Sequence, residues 1–266
     1  MIIQDENKAK RWFVNKLLAV VYRIENIGNG HLTVSGEKDF VERLSRFYKG
    51  GMTVFDIGAN IGEYSELMLK TRGATALDAY HLFEPQKSCF LTLKGKFKSA
   101  KNMTVNNIGL SDRSGSATIY KNEEGSGLTS LYQRNLDFYH HKMDIKETIA
   151  LDTAESYIAR HALQKIDLVK IDVEGNEVNT LKGFGRYLRP DFIDFIQFEY
   201  GGADIDSHTN LLDFYELLEP KGFTICKIMK NHLEPRGYDP KSENFICQNY
   251  VAISNTIFSS LTSKNK

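Results

Sequence analysis

The sequence predicts an α/β protein whose mostly parallel sheet closes with an antiparallel hairpin. Three observations predict it. From residue 53 onward, short apolar runs alternate with longer segments of helical period, as a parallel sheet covered on both faces requires. The last two runs are joined by the turn-rich "EPRGYDPKSEN" (234 to 244) rather than a helix, so those two strands must run antiparallel. Finally, a glycine turn follows the first run, where open parallel sheets bind their ligands.

Residues 1–50 read as an N-terminal helical extension and 51–266 as the main domain. In the extension, "LLAVVY" (17 to 22) is too short to span a bilayer, and no small-residue cleavage site follows it. Trp12, Leu17, Val20, Val21 and Ile24 fall roughly on one helical face, with Lys8, Lys10, Arg11 and Lys16 nearby. Such a helix packs on its own domain or a partner, a second copy included, or lies on a membrane surface. Strands are expected at 53–58, 79–84, 103–109, 167–173, 194–200, 223–229 and 249–254. Helices are expected near 62–72, 86–98, 153–163, 176–188 and 208–220. The insertion 114–150, with a strand-like "SATIY" and a Gly/Ser-rich turn, interrupts this order as a lid or substrate loop.

Lys plus Arg and Asp plus Glu both total 34 in this chain of 266 residues, so the net charge is zero. A protein gripping nucleic acid through its phosphates needs a basic excess, which disfavours that partner. Cys89, Cys226 and Cys247 form no C-x-x-C pair and are odd in number. Reduced thiols and a cytoplasmic location follow as expectations.

The chemistry concentrates in three places. "TVFDIGANIGEYS" places Asp56, Gly58 and Gly62 as D-x-G-x-x-x-G at the first strand's end. A dinucleotide turn opens with glycine and delivers pyrophosphate to a helix N-terminus. An aspartate there repels pyrophosphate and suits a sulfonium or ammonium, which favours S-adenosylmethionine over NAD. Glu84 in "HLFEP", 28 residues on, can accept both hydroxyls of a ribose. In "LVKIDVEGNEVNTLKGF" (168 to 184), Asp172 and Glu174 leave the fourth strand toward the same crevice.

Taken together, "VFDIGANIGEYS", "HLFEP", "NIGLSDRSGSATIY", "ALDTAESYI" and "LVKIDVEGNEVNTLKGF" resemble the successive signatures of FkbM-type methyltransferases, over about residues 52 to 200. The resemblance implies a Rossmann-like class I methyltransferase fold: a seven-stranded, mostly parallel sheet with a C-terminal antiparallel hairpin and helices on both faces. It also implies S-adenosylmethionine-dependent O-methylation of a carbohydrate or related small-molecule hydroxyl. Under it Asp56, Gly58, Asn60, Gly62 and Glu84 line the donor site, Gly109 to Asp112 approach the adenine, and Asp172 joins them.

A hydroxyl acceptor needs a base or a metal to activate it. Asp172, Glu174 and Glu199 are candidates at strand ends, and His208 follows the fifth strand. If a divalent metal takes part, Asp172 and Glu199 would ligate it. Tyr132 and Tyr200 could stack on a sugar. Two alternatives remain at this point: a nucleic-acid methyltransferase, and a methyltransferase-like binding protein without activity.

Overall fold

A computed structural model describes residues 7–72 and 79–263; the outer ends of the expected segments 1–50 and 51–266, with residues 73–78, lie outside the described residues. In chain order the strands are β1 (Thr53–Ile57), β2 (Ala79–Phe83), β3 (Met103–Asn106), β4 (Gly109–Leu110), β5 (Gly115–Lys121), β6 (Ile145–Asp152), β7 (Ile166–Ile171), β8 (Ile193–Tyr200), β9 (Phe223–Ile228), β10 (Leu233–Pro235) and β11 (Gln248–Ser254). The helices are α1 (Lys8–Ile24), α2 (Glu37–Phe47), α3 (Glu63–Arg72), α4 (Lys87–Lys96), α5 (Ala154–Arg160), α6 (Glu177–Lys182), α7 (Ala203–Ser207), α8 (Leu211–Leu218) and α9 (Asn255–Ser263).

The main sheet runs β10-β9-β11-β8-β7-β1-β2-β3. Strands β3, β2, β1, β7 and β8 pair in parallel, while β11 lies antiparallel between β8 and β9. All seven expected strands are present, and the short β10 adds an eighth at the edge. Side chains alternate between the two faces along each strand. On β1, Phe55 and Ile57 enter one apolar core with α5, α6 and α8, whereas Val54 enters a second with α2, α3 and α4. Two covered faces explain why the strands read as nearly continuous apolar runs.

Four expectations shift. The run 103–109 is not one strand. After β3, Asn107 Nδ2 donates to the main-chain oxygens of Glu84 (3.0 Å) and Pro85 (2.8 Å), and the chain turns away from the sheet. Strand β4 then joins β5 and β6 in a separate three-stranded sheet, so the insertion is a structured layer rather than a bare loop. The expected helix 176–188 ends as α6 at Gly183, where a Cβ would stand 2.0 Å from the Ser111 carbonyl oxygen. The segment 208–220 starts as α8 at Leu211, because His208 adopts a left-handed conformation after α7.

Residues 36–48 belong to the body: Phe40, Val41 and Leu44 of α2 are buried against the sheet. By contrast, α1 has no buried residue. Among the described residues no helix is long and apolar enough to cross a membrane.

Candidate active site

A cleft of about 370 Å³ opens over the carboxyl ends of β1, β2 and β7, roofed by the three-stranded layer. Its floor begins at the glycine turn. Gly58, Asn60 and Gly62 all adopt left-handed φ angles, of 80°, 46° and 80°. A Cβ on Gly58 would stand 1.8 Å from the Asp172 carbonyl oxygen; one on Gly62 would stand 2.7 Å from Leu93 and Phe97 of the α4 layer. The first glycine therefore lets β1 and β7 leave the sheet side by side, and the second seats the turn on α4. Gly58 and Asn60 line the cleft, whereas Gly62 supports it from behind.

Glu84 lies at the tip of β2, buried, with both oxygens turned back to the main chain. Asn60 N–H donates to Oε2 and Gln86 N–H to Oε1, each at 2.8 Å. One carboxylate thus ties the β2 exit to the glycine turn while keeping lone pairs for a ligand. Burial pushes its pKa up to about 7 against those two hydrogen bonds.

The β7 exit supplies the acidic wall. Asp172 Oδ2 accepts from Lys170 Nζ at 3.1 Å, and the same ammonium lies 3.8 Å from Asp56 Oδ1. Burial opposes the charge on Lys170, but Asp172, Asp56 and Glu37 outweigh it and hold its pKa well above the usual lysine range. Glu177 closes the "VEGNE" turn by accepting from Val173 N–H (2.8 Å) and Gly175 N–H (2.9 Å). Glu199, near the end of β8, reaches the cleft beside Cys247. Burial first, then Asp172 and Glu174, hold its carboxyl well above the ordinary range.

The roof is latched to this wall. Ser130 Oγ donates to the Glu174 carbonyl at 2.6 Å, and Arg134 Nη1 meets Glu174 Oε2 at 2.5 Å. At its other edge Gln86 Oε1 accepts from Gly125 N–H at 2.7 Å. Leu110, Ile119, Leu128, Leu131, Ile149 and Leu151 give that end of the cleft an apolar lining. A smaller chamber of about 200 Å³ shares Gly30, Gly58, Asn60, Asp172 and Glu199 with the cleft and continues to Glu37, Glu63 and Tyr64.

The structure brings Gly58, Asn60, Glu84, Gly109, Asp172, Glu174 and Glu199 together. Six others lie outside the cleft lining, among them Gly62 behind the turn and Tyr132, whose hydroxyl meets Asn179 Nδ2 at 3.5 Å. Asp56 is fully buried beneath the turn, where Ser65 Oγ donates to its Oδ2 at 2.6 Å. Asp112 is exposed and accepts from its neighbour Ser111. His208 is exposed at the end of α7, away from the cleft lining. Tyr200 is buried, with its hydroxyl on Glu243. The metal expectation, Asp172 with Glu199, finds no support: among the described residues no three His, Cys, Asp or Glu side chains gather to hold an ion. Asp172 pairs with an ammonium instead, and burial raises the Glu199 carboxyl above its ordinary range.

Sequence reasoning missed Gln86, Asn176, Gly30 and Cys247 in the lining and Lys170 below it. Lys170 stands in the quoted "LVKIDVEG" stretch, where a lysine inside an apolar strand was the available signal.

The order β9-β11-β8-β7-β1-β2-β3, with β11 reversed and a cleft over the β1 and β7 tips, defines the Rossmann-like class I methyltransferase fold. The sequence matches the Methyltransferase FkbM domain over residues 56–225, well over half of the chain. The chain belongs to the FkbM methyltransferase family. No curated protein matches it in sequence. Among solved structures, it is similar to precorrin-6y C5,15-methyltransferase from Geobacter metallireducens GS-15, at 13% identity and TM-score 0.42, covering 82% of this chain and 87% of that one. The human methyltransferase 10 domain containing protein gives 12% and 0.46, covering 95% and 99%. Aeropyrum pernix fibrillarin, solved with natively bound S-adenosyl-L-methionine, gives 13% and 0.42, covering 90% and 74%. Likeness this remote carries no information on substrate.

Proposed function

We propose that this protein is an S-adenosylmethionine-dependent O-methyltransferase acting on a hydroxyl of a carbohydrate or related small molecule. One observation carries the reading: Glu84, Asp172, Glu174 and Glu199 line the described cleft, and no Lys, Arg or His does. A sulfonium with its ammonium group set against these carboxyls favours their ionised form, whereas a pyrophosphate or an acceptor phosphate opposes it and finds no cation in the lining. Glu84 would accept the ribose hydroxyls, and the apolar end beside Gly109 and Leu110 would take the adenine. Gly58 and Asn60 would border the methionine portion, while Asp56 and Gly62 hold the turn from beneath. When bound, the donor supplies an electrophilic methyl group.

For the acceptor, the polar side chamber, lined by Glu37, Glu63, Asp172 and Glu199 with Lys170 and Tyr64, suits a molecule rich in hydroxyls. Asp172 is assigned to accept the hydroxyl proton, and Glu199 to orient the acceptor by a hydrogen bond. Glu174 fixes the roof. Three unpaired thiols support a cytoplasmic setting. The test is a screen with labelled donor across neutral sugars, nucleotide sugars and RNA, with and without EDTA. Label on a neutral polyhydroxyl acceptor, undiminished by chelator, is expected. Label confined to RNA, or activity abolished by chelator, would overturn the assignment.

A further inference from the structure

We propose that α1 is a docking helix for an anionic lipid surface. This rests on the helix itself and not on the methyl-transfer reading. Phe13, Leu17, Val20, Val21 and Ile24 follow i, i+4, i+7, i+8, i+11 spacing, which aligns them along one face. They are 47% to 66% exposed, and nothing in the described fold covers them. Phe13 heads this row; Trp12 lies off it, with Lys16 Nζ 5.7 Å from its ring centroid.

The charge of the helix selects the occupant. Lys8, Lys10, Arg11, Lys16 and Arg23 all lie in α1, which holds no Asp or Glu, although the whole chain is neutral. Lys8 and Arg11 lie across from the apolar row, Lys16 and Arg23 flank it, and Lys10 falls at its N-terminal end. An apolar face bordered by Lys and Arg matches the cross-section of an anionic bilayer interface. A second α1 would set the same row of cations against itself, with no Asp or Glu within either helix. Nucleic acid would neutralise the cations but leave the apolar row in water.

The helix is also anchored where it meets the body. Just past its end, Arg236 Nη1 meets Glu25 Oε2 at 2.5 Å, and Asn26 Nδ2 donates to the carbonyls of Ser35 (2.6 Å) and Ile228 (2.9 Å). Gly28 N–H then donates to the Cys247 carbonyl at 2.8 Å, and Cys247 and Gly30 line the cleft. The segment that follows α1 thus joins the helix directly to the cleft lining.

The test uses the full chain with vesicles of phosphatidylglycerol plus phosphatidylcholine, and of phosphatidylcholine alone. Trp12 is the single tryptophan and serves as a built-in reporter. Co-sedimentation with the anionic vesicles and a blue shift of Trp12 emission are expected, both about tenfold weaker on phosphatidylcholine and weakened by salt. Leu17→Glu with Val21→Glu should lower binding at least about tenfold while leaving the melting temperature unchanged, since α1 contributes nothing to the core. Absence of binding to either vesicle, or equal binding by the double variant, would overturn the proposal. A wild-type dimer in sedimentation velocity that the double variant reduces to monomer would assign the face to a second copy and also overturn it.

Discussion

Asp56 and Lys170 stand directly opposite each other on the parallel strands β1 and β7, with Lys170 Nζ 3.8 Å from Asp56 Oδ1 and 3.1 Å from Asp172 Oδ2. One buried ammonium therefore serves a carboxylate under the cleft and another on its wall. Burial raises the Asp56 pKa, and Lys170 and Ser65 oppose that rise.

Lys170→Met should destabilise the fold by about 3 to 5 kcal/mol, because it leaves buried carboxylates without their cation. The measurement is the urea midpoint and slope. Asp56→Asn added to that background should recover part of the loss, since the two residues share one interaction. An unchanged midpoint for the single variant would show that the ammonium is not holding this site together.

Glu84→Ala should weaken donor binding at least about tenfold, the loss of one or two charge-assisted hydrogen bonds. Calorimetric titration reads it directly. Because the Glu84 pKa is about 7, wild-type donor affinity should also fall as the pH drops below that value and the carboxylate is protonated. Affinity that is flat from about pH 6 to 8 would remove Glu84 from the donor site.

The legible part of the site was the part written in contiguous stretches. "FDIGANIG", "HLFEP" and "KIDVEGNE" each sit on a strand tip, and parallel topology alone brings strand tips to one edge. The main-sheet strands were legible for the same reason: each is a short apolar run with its own boundaries. Sheet order was not, because β7 inserts beside β1 only through contacts more than a hundred residues apart. Nor was the fate of Asp56, since alternation along β1 decides whether its side chain faces the cleft or Lys170. His208 looked promising by position, but the left-handed end of α7 carries it outward. Gly30 and Cys247 reach the cleft from opposite ends of the chain, with no local pattern to announce them.

Stability of the ligand-free protein should decline as pH rises. Burial lifts Glu84 and Asp204 to about 7 and Glu174 and Glu177 to about 8, against 4.5 for an ordinary glutamate and 3.8 for an aspartate. The folded state thus binds protons that the unfolded chain has released. The stabilisation is complete below the unfolded values and is lost as pH passes through about 7 to 8. Thermal melts from about pH 6 to 8.5 should show a falling midpoint, and a rising one would contradict these carboxyl environments.

Arg134→Ala should loosen the roof. Arg134 is buried between Glu174 (2.5 Å) and Asp206 (3.4 Å), and its loss leaves Glu174 without its cation. Faster proteolysis within residues 122–144 and a severalfold weaker donor affinity are expected. Unchanged protection and affinity would mean that the Ser130 and Gln86 hydrogen bonds hold the roof without it.

The central claim is that an acid-lined cleft over β1 and β7 selects a cationic methyl donor over a phosphate-bearing cofactor. Calorimetric titration of the purified chain with S-adenosylmethionine, and separately with NAD, tests it most directly. The expected result is saturable binding of S-adenosylmethionine at submillimolar concentration, weakened by Glu84→Ala, with no heat from NAD. Binding of NAD, or no binding of S-adenosylmethionine at millimolar concentration, would contradict it.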